Sequence, residues 1–186
     1  MDDTLYIGAD PGLTSPCICV LDGKTQEPLG HRFMNGARYK DWDNYSRAFV
    51  IGLEMAEFVK KNFGTKVVLA IEGPSYGSKQ QSSSMEQMAY CRQALHDAFK
   101  ITCQLVACYT IAPTTAKKAL TGDGRADKEK VMYYAKVLAP KMMQGKEPLR
   151  TVHKRDGGEE QQINMETSAI ADSYAIAVAG RKKHGH

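Results

Sequence analysis

The sequence lacks the cysteine spacing of a disulfide framework or a zinc site. It contains five cysteines, an odd number, and no two of them are spaced as Cys-x-x-Cys. No His-rich cluster accompanies them. A secreted disulfide-rich protein and a zinc module are therefore not expected, and a reducing, intracellular setting is favoured, in the cytoplasm or on the nucleoid.

Long apolar runs and a basic start are also absent. No apolar run approaches the roughly 18 residues that a membrane span requires. Residues 1–3 are acidic, where a signal peptide would begin with basic residues. Membrane insertion and secretion are therefore not expected. The 186 residues, 42% hydrophobic and 25% charged, have a globular composition and a length that suits one domain over residues 1–186.

Positive charge is concentrated in one part of the chain. The segment from Lys117 to Arg155 contains eleven Lys and Arg residues and four Asp and Glu residues, an excess of +7, while the whole chain carries +4. The remaining residues are therefore acidic overall, with a net charge of −3. Such a segment fits a face that binds a polyanion, although a solvated surface has the same composition.

The order of apolar patterns predicts a mixed α/β fold with a five-stranded sheet flanked by helices. Short apolar runs separated by turn residues predict an antiparallel meander, after which strands alternate with helices. The polar stretch 141–162 is predicted to be a loop. Predicted strands cover 4–9, 15–21, 28–34, 66–71 and 101–109, and predicted helices cover 45–63, the region of Met88 to Phe99, 117–120, 128–138 and 166–179.

Three carboxylates lie next to apolar segments, where a purely structural role does not readily explain them. Asp10 and Glu72 each close an apolar strand before a Pro-Gly or Gly-Pro turn, and Asp172 lies in the small, apolar sequence of the last helix. Ionised carboxylates in apolar surroundings are costly unless they are paired or bind metal. The alternative roles are a turn cap, a solvated strand end and an exposed helix stripe.

If the strands that end in Asp10 and Glu72 are neighbours, a helix packed across them can bring Asp172 to the same place. Oxygen ligands of this kind suit hard divalent cations, so Mg²⁺ or Mn²⁺ is favoured over zinc. Two such ions would activate a water and stabilise the leaving oxygen of a phosphodiester displacement. The sequence therefore predicts a metal-dependent nuclease site.

Four motifs, in this order and spacing, resemble those of RuvC-type Holliday-junction resolvases. The resemblance implies an RNase H-like fold, a homodimer, and paired nicking of four-way branched DNA with two Mg²⁺ or Mn²⁺ ions per site, leaving 5′-phosphate and 3′-hydroxyl ends. It is weakest over 23–65 and 141–162. The motifs are IGADPGLTSPCICVLD, AIEGPSYGSKQ, KKALTGDGRADKEKV and AIADSYAIAVAG.

The resemblance assigns metal ligands residue by residue. Asp10, Glu72 and Asp172 match three acids of the family. A further acid or His usually precedes the last one by three or four residues, where this chain has Ala169 and Ser168. Glu166 is a candidate fourth ligand by its chemistry, although a straight helix places it well off the Asp172 face.

The resemblance also assigns basic residues near the scissile phosphate. Lys117 and Lys128 match two lysines of the family that flank a glycine turn. They would neutralise charge that develops on the phosphate in the transition state, or anchor it in the ground state. The predicted general DNA contacts are Lys79, Lys118, Arg125 and Lys130.

Tyr76 lies near the place where these enzymes present an aromatic side chain to unpaired bases at the crossover. Stacking on an exposed base contributes about 1–3 kcal/mol and tolerates any base, so an aromatic residue suits the opening of a junction. The alternative is that Tyr76 packs beneath its own loop.

Two other functional classes stay open. The sequence DPGLTS at 10–15 also resembles the phosphate-binding hairpin of sugar kinases and actin-like ATPases, which normally require two such domains. The missing fourth acid is compatible with a catalytically degenerate junction-binding protein. Another nuclease of the same fold, acting on hybrid, structured or linear nucleic acid, is the third possibility.

Overall fold

The computed structural model describes residues 3–74, 82–153 and 159–185. Within these residues, a five-stranded mixed sheet confirms the predicted α/β class. Its strand order is β3-β2-β1-β4-β5, with β1 antiparallel to β2 and parallel to β4. The strands are β1 (Leu5–Asp10), β2 (Cys17–Asp22), β3 (Pro28–Phe33), β4 (Lys66–Glu72) and β5 (Gln104–Ile111).

Helices cover both faces of this sheet. Two pack on one face and three on the other, which explains why β1, β2 and β4 are almost continuously apolar. None of the helices within the described residues combines the length and apolar character needed to cross a membrane. The helices are α1 (Asn44–Asn62) and α2 (Ser82–Thr102) on the first face, and α3 (Pro113–Thr121), α4 (Lys128–Leu138) and α5 (Met165–Lys183) on the second.

Helix α5 is the central element of the second layer. Twelve of its nineteen residues are buried, and most of these are Ala, Ser or Gly. Small side chains let the helix approach the sheet closely, above all at Gly8 of β1, where an added Cβ atom would lie 2.0 Å from the Ser173 carbonyl oxygen and 2.3 Å from the Ala177 nitrogen. The backbones of β1 and α5 are therefore in direct contact.

Two predicted boundaries are wrong. The fifth strand was expected from residue 101, but α2 continues through Thr102 and β5 begins at Gln104. Ile101 is 70% exposed at the end of α2, so its apolar character does not indicate a buried strand. The helix expected over 117–120 begins earlier, at Pro113, which occupies the first turn where its missing N–H is tolerated.

The predicted loop 141–162 contains a hairpin of two short strands, β6 (Leu149–His153) and β7 (Glu159–Ile163). It forms a separate two-stranded sheet. The strand sequences LRTVH and EEQQI lack a clear apolar alternation because the ribbon has no extensive core face to cover. At its base, Asn164 N–H donates to the Pro148 carbonyl at 2.9 Å.

The contact between β1 and α5 predicts that the loss of stability on replacing a glycine depends strongly on where that glycine lies. Gly8→Ala should lower the free energy of unfolding by about 3 kcal/mol, because the methyl group meets backbone atoms that cannot rotate away. Gly12→Ala is the matched control, since its Cβ atom would find no neighbour within 4 Å. Urea denaturation of both variants checks this, and equal midpoints would contradict the close packing.

Candidate active site

Asp10 and Glu72 end adjacent parallel strands. The register pairs Ala9 with Ile71, so the next residue on each strand is one of the two acids. Since parallel strands end at the same edge of a sheet, both carboxylates emerge together, as the sequence predicted. A strongly apolar core beneath them holds this edge in place.

Asp172 joins this edge from α5. The close approach of α5 to β1 brings its carboxylate within electrostatic reach of Asp10 and Glu72. The Ser168 hydroxyl, one helical turn earlier, donates a hydrogen bond to Asp172 Oδ2 at 3.2 Å. The three carboxylates, which we call the acid group, are all partly buried.

The acid group is electrostatically strained. Burial, followed by the negative charges of Glu72 and Asp172, raises the pKa of Asp10 well above its usual value. Burial and the charge of Asp172 raise the pKa of Glu72 to about 7. Burial also raises the pKa of Asp172. A bound cation would relieve the repulsion that these groups share.

Lys128 and Lys117 act against these shifts. Lys128, the first residue of α4, lowers the pKa of all three acids through its positive charge, and Lys117 does so for Glu72 and Asp172. Lys117 Nζ also donates to the Ala126 carbonyl at 2.7 Å, which ties α3 to the turn before α4. The structure thus brings both predicted lysines to the acid group.

The donor chemistry of the acid group fits a hard divalent cation. Its ligand atoms are carboxylate oxygens, which Mg²⁺ and Mn²⁺ prefer. Within the described residues, however, no three Asp, Glu, His or Cys side chains already surround one common metal position. A bound ion would therefore have to draw the carboxylates of Asp10, Glu72 and Asp172 closer together.

The candidate fourth ligand, Glu166, has another partner. Its carboxylate forms an ion pair with Lys146, and the Asn164 side chain caps the helix just before it. Ser168, buried beside Asp172, stands in the position one turn earlier that the resemblance leaves without an acid. The nearest polar neighbour of Asp172 on α5 is thus a neutral hydroxyl.

The other predicted DNA contacts lie on α3, on the turn after it and on α4, or outside the described residues. Lys118 and Arg125 are exposed. Lys130 forms an ion pair with Asp123 at 3.1 Å, and the Asp123 side chain also accepts from the Arg125 backbone N–H at 2.8 Å. Tyr76 and Lys79 lie outside the described residues.

Arg92 is a site residue that the sequence reasoning missed. With Met88 and Pro74 it lines a cavity of about 140 Å³ beside Glu72, and its charge lowers the pKa of that acid. Arg92 follows Met88 by four residues and so shares its helix face, but no signal in the sequence places that face beside Glu72. Cys91 and Leu95 of the same helix are buried in the core.

Comparison with solved structures identifies the fold. The chain is similar to Thermus thermophilus RuvC, with a TM-score of 0.65, 19% identity, and coverage of 97% of this chain and 96% of that chain. It is also similar to T. thermophilus RuvC in complex with a Holliday junction substrate, with a TM-score of 0.67, 17% identity, and coverage of 98% and 96%. No protein-family model and no curated protein matches the sequence significantly. The RuvC-type, RNase H-like fold implied by the motifs is confirmed.

The raised pKa of Glu72 predicts a pH-dependent stability in the absence of metal. Its usual value is 4.5 and its folded value about 7, so the folded state favours the protonated acid. That stabilisation is complete below pH 4.5 and is lost as the pH rises through 7. In EDTA, Glu72→Gln should therefore melt above wild type at pH 8, with a gap that closes towards pH 5.

Thermal denaturation between pH 5 and pH 8 measures this gap. Glu57→Gln on α1, which changes a carboxylate with 61% side-chain exposure, is the control and should show little pH-dependent difference from wild type. A melting temperature of Glu72→Gln that stays below wild type at pH 8 would contradict the strain in the acid group.

Proposed function

We propose that this chain is an endodeoxyribonuclease that resolves four-way DNA junctions by paired symmetric nicks. The observation that carries the proposal is the acid group, three electrostatically coupled carboxylates at one sheet edge, beside two lysines. The fold is shared with a RuvC protein solved on a Holliday junction substrate, which supports branched DNA as the partner. The products would be 5′-phosphate and 3′-hydroxyl ends.

Asp10, Glu72 and Asp172 would hold the divalent cations, Mg²⁺ or Mn²⁺, two per site. When bound, these ions would supply activation of water and stabilisation of the leaving oxygen. Lys128 opposes only part of the rise in the pKa of each carboxylate, so a bound cation would be needed to favour the ionised, ligating form. Glu166 would become a fourth ligand only by leaving Lys146.

Lys128 and Lys117 have different tasks in this proposal. Lys128 is exposed, so its ammonium group is free to approach the phosphate and neutralise developing negative charge. Lys117 is partly buried and its ammonium holds the Ala126 carbonyl, so it positions the turn that leads to Lys128. We therefore assign transition-state stabilisation to Lys128 and positioning to Lys117.

Paired nicking calls for two active sites, so we propose a homodimer. Helix α2 has two exposed large side chains: Met85 (51% exposed), which lines the cavity beside Glu72, and Tyr90 (38%). Cys91 and Leu95 form an apolar stripe of α2 that is buried in the core. Only the outer face of α2 is therefore available to contact a second copy of the chain. Lys118 and Arg125 would contact the DNA backbone.

A second candidate function is junction binding without cleavage. It is favoured by the substitution of Ser168 and Ala169 for the fourth acid, which leaves three carboxylates to hold two ions. Another RNase H-like nuclease, acting on hybrid, branched or linear nucleic acid, would use the same acid group. Cleavage assays distinguish these cases.

Metal binding can be measured without cleavage. At pH 8, saturating Mg²⁺ should raise the melting temperature of wild type, because an ion that binds only the folded state stabilises it by about 2.7 kcal/mol at 100 times its Kd. Asp10→Asn should lose most of this increase. An equal Mg²⁺ effect on both proteins would place the bound ion elsewhere.

Cleavage tests the function itself. Wild type should nick a labelled four-way junction symmetrically in Mg²⁺ or Mn²⁺ and not in EDTA, whereas linear duplex, RNA–DNA hybrid and single strands should stay intact. Asp10→Asn should reduce the rate at least about 1,000-fold, which corresponds to about 4 kcal/mol of activation free energy, and should still bind the junction.

Asp22→Asn is the matched control. Asp22 ends β2 as Asp10 ends β1, but at the opposite edge of the sheet, and the Oδ1 atom that accepts from Lys24 and Thr25 is retained in Asn. This variant should cut normally. Junction binding by wild type without cuts in either metal would establish the binding protein, and preferred cutting of hybrid or linear DNA would establish another nuclease.

A further inference from the structure

An exposed groove at the end of β3 has no role in the function described so far. It has a volume of about 340 Å³ and lies where β3 leads into the 3-10 helix Gly36–Tyr39. Two arginines and an asparagine in its wall are exposed. We call this the arginine groove; it is lined by Arg32, Phe33, Met34, Asn35 and Arg38.

The sheet register places the arginine groove at the same edge as the acid group. Asp10 of β1 pairs with Cys17 of β2, and Cys17 pairs with Phe33 of β3. Adjacent strands are about 4.8 Å apart, so Phe33 lies about 10 Å from Asp10 along this edge. Lys128, the first residue of α4, also acts electrostatically on Asp10, so cations from two separate segments of the chain lie near the acid group.

Hydrogen bonds fix the groove relative to the acid group. The Gly36 N–H donates to the Thr14 carbonyl at 2.9 Å. Arg47 of α1 donates from Nη2 to the Leu13 carbonyl at 2.8 Å and from Nε to the Gly36 carbonyl at 3.1 Å. The loop that follows Asp10 and the segment that follows β3 therefore form one unit.

The two groove arginines are held in place by aromatic rings. The Arg32 guanidinium lies 5.7 Å from the centre of the Phe58 ring, and the Arg38 guanidinium lies 4.7 Å from the Tyr39 ring. A guanidinium has five N–H donors in a planar fork that matches a phosphate. Guanidinium groups that are both exposed and held in place lose less freedom on binding a phosphate.

Nearby carboxylates determine which of the two arginines contributes more positive charge to the groove. Glu54 forms an ion pair with Arg38 and neutralises part of its charge. Asp43 is occupied as the N-cap of α1, where it accepts from two backbone N–H groups. Within the described residues, Arg32 forms no salt bridge. Arg32 is therefore the main cation of the groove.

We propose that the arginine groove binds the sugar-phosphate backbone of a duplex arm beside the cleavage site. This inference rests on the proposed function, since it names a second contact for the same DNA. Phosphate contacts of this kind fix the register and orientation of DNA and do not read its sequence. The groove would therefore set which phosphate reaches the acid group.

The test compares two double variants that remove the same charge. Arg32→Gln with Arg38→Gln alters the groove. Lys60→Gln with Lys100→Gln, the lysine variant, alters the last turns of α1 and α2 at the opposite end of the sheet. Binding of a four-way junction and of a duplex of equal arm length is measured in EDTA over a range of salt concentrations. Cleavage is measured in Mg²⁺ at saturating enzyme.

The groove variant should bind both DNAs about 10-fold more weakly, and the slope of log K against log salt should fall by about 1.8, as expected for two lost phosphate contacts. The lysine variant should match wild type in affinity and slope. Cleavage by the groove variant at saturating enzyme should stay within about 3-fold of wild type, because the acid group is unchanged, but its cut position should become less uniform.

Trp42 supplies a local signal for the same test. It is the single tryptophan of the chain and is 51% exposed. Its ring centre lies 5.9 Å from that of Tyr39, the ring that the Arg38 guanidinium contacts. DNA bound in the groove should change Trp42 emission in wild type and in the lysine variant. The groove variant should lose this change at a DNA concentration that saturates binding.

Wild-type affinity and salt slope in the groove variant, or an equal loss in the lysine variant, would overturn the inference. If the double groove variant fails to fold, the single variant Arg32→Gln provides the test. Its slope of log K against log salt should fall by about 0.9. A wild-type protein that shows no preference for the junction over the duplex would overturn the proposed function instead, while the duplex measurements would still test the groove.

Discussion

The contact between β1 and α5 is the constraint on which the rest of the structure depends. Gly8 has no side chain, so the helix backbone reaches the strand, and the small residues of α5 continue this contact along the sheet. The same contact carries Asp172 to the ends of β1 and β4. The packing of α5 on the sheet therefore builds the core and also assembles the partly buried acid group.

Much of the fold was predictable because its local signals agree with its packing. The strands that end in Asp10 and Glu72 are apolar throughout, and turn residues bound them. Predictions failed where the hydrophobicity of a residue did not match its burial. Ile101 is apolar but exposed on α2, and the β6–β7 hairpin is polar because it covers no extensive core.

The acid group was partly predictable for a similar reason. Carboxylates at the ends of apolar strands are visible in a sequence, and parallel pairing brings Asp10 and Glu72 together. What the sequence could not reveal are partners from distant elements, such as the Lys146 that pairs with Glu166 and the Arg92 that faces Glu72. These depend on how helices and loops are placed across the sheet, for which residue spacing carries no direct signal.

The hairpin between α4 and α5 leaves and rejoins the fold at nearly one point, because Pro148 and Asn164 are hydrogen bonded at 2.9 Å. A change in the length of the ribbon therefore need not shift the start of α5. The entropic cost of closing a longer loop also rises only slowly with its length. We therefore expect that the segment can be shortened or extended without moving Asp172. The ribbon is therefore a suitable insertion point for a label or an added peptide that should leave the acid group in place.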